Sequence, residues 1–130
     1  MKKILFSLMA ATLCLMMTSC GDPTSTIKSL TEDIENNGDE WTDESQWDDS
    51  MVSFANACID FANSDPDEDA YDDFIDACAE YYSAMYDISD KKAKKARDKA
   101  ESKFDKNHKD LKKDLDKARR KLEKIKKDFD

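Results

Sequence analysis

TDESQWDDSMVSFANACIDFANSDPDEDAYDDFIDACAEYYSAMYDIS, residues 42–89, decides the fold. In its first half Trp47, Met51, Phe54, Cys58 and Phe61 recur at steps of four, three, four and three, with Val52, Ala55, Ile59 and Ala62 widening the stripe. That period belongs to one face of an amphipathic helix. Thr42 is placed as its N-cap, Asp43 and Glu44 favour the dipole in the first turn, and the helix is expected to end near Asn63. Asp65-Pro66-Asp67-Glu68 then combines a capping acid, a proline at the first helical position and a glutamate placed for a capping box. The helix it opens carries Tyr71, Phe74, Ile75, Cys78, Tyr81, Tyr82, Met85 and Ile88 on its apolar face. A short connection predicts an antiparallel hairpin holding most of the large apolar side chains.

Outward from the hairpin, the chain stays helical in character. Only two glycines and two prolines occur in 130 residues, all at plausible element boundaries, and strand-type alternation is missing. Before the hairpin, Ile27, Leu30 and Ile34 follow three candidate caps, Thr24, Ser25 and Thr26, and Asn37-Gly38 reads as a stop. After it, Phe104, His108, Leu111, Leu115, Ala118, Leu122, Ile125 and Phe129 alternate steps of four and three without a slip. This is a heptad seam, with Arg119–Glu123, Glu123–Lys127 and Lys124–Asp128 at pairing distance along its flanks. A continuous 40-residue helix carrying this seam from about residue 90 to the end would run about 60 Å, roughly twice the hairpin, so part of it must project, bend back or pair with another chain. The expected architecture is all-α: a helical hairpin plus a long C-terminal amphipathic, coiled-coil-like helix in a small bundle.

Charge divides the chain in two. Residues 21–90 carry one base against 21 acids, a net of −20, whereas residues 91–130 carry 18 bases and 9 acids, a net of +9. The basic segment can fold back on the acidic hairpin, dimerise along its seam, or bind an anionic polymer. Nucleic acid is not an expected partner, because the only aromatics in that stretch, Phe104 and Phe129, belong to the seam.

At the N-terminus, Lys2 and Lys3 precede an uncharged, mostly apolar run of fourteen residues, Ile4 to Met17, and then Thr18, Ser19 and Cys20. The run has the length of a secretory signal core and falls short of the roughly 20 residues a membrane-spanning helix needs. Met17-Thr18-Ser19-Cys20 resembles a bacterial lipobox, with Met17 where leucine is usual. The resemblance implies cleavage after residue 19 and lipid on Cys20. Gly21 in the sorting position implies delivery to the outer membrane. Taken with Asp22-Pro23 and the Asp39-Glu40-Trp41-Thr42 entry to a tryptophan-bearing helix, the chain resembles the small helical lipoproteins of the Gram-negative envelope, although these motifs bring no activity with them. The organisation expected is a signal peptide over 1–19, a lipidated linker and short helix over 20–41, the acidic hairpin over 42–89 and the basic helix over 90–130.

Two cysteines, Cys58 and Cys78, remain once Cys14 leaves with the signal and Cys20 carries lipid. In an exported protein they are a possible disulfide or two buried thiols; both lie on core faces, but straight helices set them about 10 Å apart in height, beyond bridging reach. Asp65, Asp67, Asp69, Asp73 and Asp76 fall on ligand positions of a calcium-loop template, yet Ala70 replaces its turn glycine and Asp76 its bidentate glutamate. No metal or cofactor is expected. The single histidine, His108, lies in the seam, and no nucleophile-elbow or phosphate-cradling motif is present, so no catalytic residue is expected either. The functional expectation is a lipid-anchored, non-enzymatic structural or protein-interaction module of the cell envelope. It would be held to the membrane through Cys20 and would self-associate or meet an envelope protein; the alternative is a binder of anionic ligands through the basic segment.

Overall fold

The computed structural model describes residues 22–129, and five helices account for nearly all of them. They are α1 (Pro23–Asn37), α2 (Glu44–Ala62), α3 (Glu68–Tyr86), α4 (Lys91–Asn107) and α5 (Lys109–Phe129), with a 3₁₀ turn at Gly38–Glu40. The fold is an all-α bundle.

Aspartates cap four of the five helices, because each places a carboxylate oxygen on an N–H that the helix itself cannot satisfy. Asp22 caps α1 through Thr24 N, displacing the expected threonine and serine caps and leaving Pro23 at the first helical position. Asp43, not Thr42, caps α2, in a capping box with Gln46. Asp67, not Asp65, caps α3 through Ala70 N at 2.8 Å, so Pro66 stays outside the helix and Asp65 takes φ 54°. Asp90 caps α4 through Ala93 N, which makes α4 a new helix and not a continuation of α3.

Two parallel ring stacks mark the hairpin register: Phe61 on Phe74 at 3.9 Å and Phe54 on Tyr81 at 4.4 Å. Both pairs are antiparallel, as expected. The rings hold the two backbones apart, and the closest helix approaches are instead α1 with α3 and α2 with α1, α4 and α5. α2 is therefore the hub, with Trp47, Ala55 and Ala62 almost wholly excluded from solvent.

The expected 40-residue basic helix is two helices. His108 leaves helical geometry at φ −132° and ψ 56°, its N–H closing α4 on Phe104 O and its carbonyl opening α5 to Lys112 N. Neither proline nor glycine is involved. A straight helix would leave half of the seam without a partner, whereas the break returns Leu115 and Ala118 to burial and sets Leu111 and Leu122 against the core. Bending back is thus the outcome among those open to this segment, and the seam is filled within the chain. His108 touches Asp48 near the start of α2, and Lys121 touches Asn63 just past its end, so α5 runs parallel to α2. The expected flanking ion pairs of α5 are not formed; Lys112 with Asp116 at 3.3 Å is the close i,i+4 pair.

α4 packs where α1 and α3 end and α2 begins. Asp39 accepts from Ser89 N and Asp90 N at 2.7 and 3.0 Å, which holds its carboxyl below the usual range. Gly38 lies at the same end with ordinary helical angles, φ −55° and ψ −37°. Space is what it supplies: a methyl there would stand 3.1 Å from Cγ2 of both Ile34 and Ile88 and 3.6 Å from Trp47. Gly38→Ala is therefore expected to lower stability by about 1–3 kcal/mol through overpacking, where an exposed helical glycine would gain from the same change. Thermal denaturation reads the sign.

Candidate interaction surface and thiol pair

α5 displays two opposite faces. Its apolar side chains turn to α2, and Lys109, Lys113, Lys117, Arg120, Lys124 and Lys127 are all exposed. At 100° per residue these six cations fall within an arc of about 80°, centred roughly opposite the apolar stripe, and extend over about 27 Å. Asp110, Asp114, Asp116, Glu123 and Asp128 flank the arc and do not enter it. None of the six makes an ion pair with another described residue. The stripe was legible as a three-and-four spacing of bases, whereas the charges of that segment are read above as flanking i,i+4 pairs and a net surplus.

Other charges on the basic segment are already engaged. Arg97, 8% exposed, donates through Nη1 to Met85 O at 2.9 Å and through Nε and Nη2 to Asp98. Its guanidinium lies 4.8 Å from the Tyr86 ring centre. It thereby satisfies a last-turn carbonyl of α3 and ties α4 to that helix. Tyr86 donates to Glu101 at 2.8 Å, and burial together with that carboxylate raises the phenol's pKa. Lys103 pairs with Glu44 at 3.0 Å, so the groove between α4 and the start of α2 has basic and acidic walls. His108 Nε2 lies 2.8 and 2.9 Å from the two carboxylate oxygens of Asp48, an anchor for the break between α4 and α5.

Met17-Thr18-Ser19-Cys20, the stretch that resembles a lipobox, lies outside the described residues. Cys58 and Cys78 are brought together, contrary to the height difference expected from straight helices. They are unbridged, and the two thiols lie near each other between the two ring stacks. The extended segment after Ser64 carries the chain past the end of α2 before α3 turns back, which removes the offset. The neighbouring Cys58 thiol and burial together raise the Cys78 pKa. Both thiols are accordingly expected to label more slowly in native than in denatured protein, on the order of tenfold or more, with half-buried Cys78 reacting before buried Cys58. Maleimide labelling followed by mass spectrometry measures the order.

The acids of the calcium-like run are placed on helix geometry: Asp67 caps α3, and Asp69, Asp73 and Asp76 project from it into solvent. No group of three or more potential metal ligands is assembled among the described residues. No protein-family model matches the chain, and neither the curated proteins nor the solved structures contain a significant match to it.

Proposed function

We propose that this chain is a lipid-anchored, non-enzymatic lipoprotein of the Gram-negative cell envelope, most simply of the outer membrane, that acts as a structural or protein-interaction module. The observation that carries this reading is the division of labour in the bundle. Most of its large apolar side chains are spent on its own core, with Ile75, Tyr82 and Tyr86 of α3 left exposed, and what α5 offers to the outside is an unpaired row of cations. No helix among the described residues is long and apolar enough to cross a membrane, so lipid on Cys20 is the natural grip, two or more acyl chains sufficing for stable attachment. Only Gly21 and Asp22 separate that cysteine from the first turn of α1.

Intact mass of protein extracted from membranes is expected to show a mature chain beginning at Cys20 with a diacylglyceryl or triacyl addition. Cys20→Ala should release the protein from the membrane fraction. A variant still firmly embedded would make the N-terminal apolar run the anchor and end the lipoprotein reading. The exposed row on α5 also favours a second reading, in which the module binds an anionic ligand or polymer. Retention on polyanion beads that a modest rise in salt abolishes would support it.

A further inference from the structure

The α5 row has a counterpart in the same molecule. On α3, Asp69, Asp72, Asp73, Asp76 and Glu80 are all exposed, lie within an arc of about 100° and extend over about 17 Å, and exposed Asp87 follows just past the last turn of the helix. None of these carboxylates is in an ion pair with a described residue. The two rows thus overlap in length and are opposite in charge, and they do not meet within one chain.

Their register is fixed by the fold. α3 and α5 run antiparallel and meet through side chains: Tyr71 stands level with Phe129, rings 5.8 Å apart, and Tyr82 is level with Arg119, whose charge acts on its phenol. Each step along α3 is therefore a step back along α5. When two copies stand side by side at one height and in one orientation, that register sets Asp73 of one level with Lys127 of the other. The same alignment brings Asp76 to Lys124, Glu80 to Arg120 and Asp87 to Lys113.

We propose that a second copy of this chain occupies the α5 row, its α3 acids pairing with the cations of the first. Because acid and base lie on different helices, the contact is head-to-tail and repeats from copy to copy along a row. The arrangement rests on the lipid-anchor reading for one element: a tether two residues from α1 presents every copy to the membrane by the same end, which is the orientation the register requires. Exposed ion pairs are individually weak and screened by salt, so the association belongs to the tethered state, where confinement raises effective concentration.

Zero-length carbodiimide cross-linking of the full chain in its own membranes tests this. The expected result is a ladder of dimers and higher species, with Asp76 joined to Lys124 and Asp73 to Lys127 in the dimer band, falling several-fold as salt is raised. The pair Asp76→Lys with Glu80→Lys, and separately Arg120→Glu with Lys124→Glu, should each lose the ladder. Co-expression of the two reversed chains should restore it, since acidic α5 then meets basic α3; restoration also shows that both variants fold. Wild-type protein without a ladder, a ladder lacking these joins, or reversal without effect would overturn the pairing, as would a monomer whose α5 row is occupied by polyanion. Intact mass of the same preparation reads the lipid separately. If it shows none, the anchor reading fails, and cross-linking at high concentration in solution decides the pairing.

Discussion

Trp47→Ala is expected to cost about 3–5 kcal/mol of folding free energy, the range for truncating a large buried aromatic. Trp47 is 0% exposed at the junction of α2, Gly38 and the 3₁₀ turn, and its Nε1 donates to Trp41 O at 2.7 Å. Trp41 closes on it edge to face with ring centres 5.0 Å apart. The substitution removes the wall against which these segments pack, and it also strips a partly buried carbonyl of its donor. Domains of this size hold only about 5–15 kcal/mol in total, so one residue here is a large share. Urea denaturation should show a lower midpoint with a preserved slope. Trp47→Phe, which keeps most of the ring and loses the N–H, should lose less than half as much.

Alkali should unfold the protein through Tyr81. That phenol is 1% exposed and shares a 2.9 Å hydrogen bond with Ser50 across the hairpin. Burial raises its pKa, and the Ser50 contact only partly opposes this. The unfolded chain ionises the phenol near pH 10, whereas the folded chain keeps its proton to higher pH. A pKa raised by folding gives stability that is whole below the unfolded value and is lost as pH rises toward the folded one. The loss is about 1.4 kcal/mol per pH unit above 10, or about 2–3 kcal/mol by pH 12. Urea midpoints at pH 9 to 12 measure the slope. Tyr81→Phe should cost about 1 kcal/mol at neutral pH, the worth of one buried hydrogen bond, and remove the Tyr81 share of the alkaline slope, leaving those of Cys78, Tyr82 and Tyr86, whose pKa values are also raised. Lysine deprotonation acts on both proteins alike. A variant as alkali-sensitive as the parent would show that the ring is not the group responsible.

The thiol pair and the α5 row show how differently two kinds of feature can be read. Cys58 and Cys78 were visible on the core faces of two helices, but their separation depended on how far the connection travels before α3 begins. Asp67 rather than Asp65 takes the cap, and the extra extended residues close a gap that straight-helix arithmetic leaves open. The cation row was present in the spacing of α5, yet its meaning depends on which face the core takes. Arg97 carries the reverse lesson: in a lysine-rich run it reads as solvated charge, and only the approach of Met85 O and Tyr86 makes it a structural tie.

By itself the sequence determined that the body after the N-terminal apolar run is helical, where most helix faces lie, and that its two halves carry opposite charge. These follow from apolar period, from carboxylates near free N–H groups, and from composition, all of which act within a few residues along the chain. The break at His108, the adjacency of the thiols and the registry of acidic and basic rows were decided by tertiary structure alone. Each depends on what stands opposite: Asp48 for the imidazole, the aromatic layer that spaces α2 from α3, and the apolar face of α2 that draws α5 back beside it. A heptad seam specifies that a partner face is wanted; the energy of burial selects which face supplies it, and that choice turned a projecting helix into a folded-back one with its cations outward.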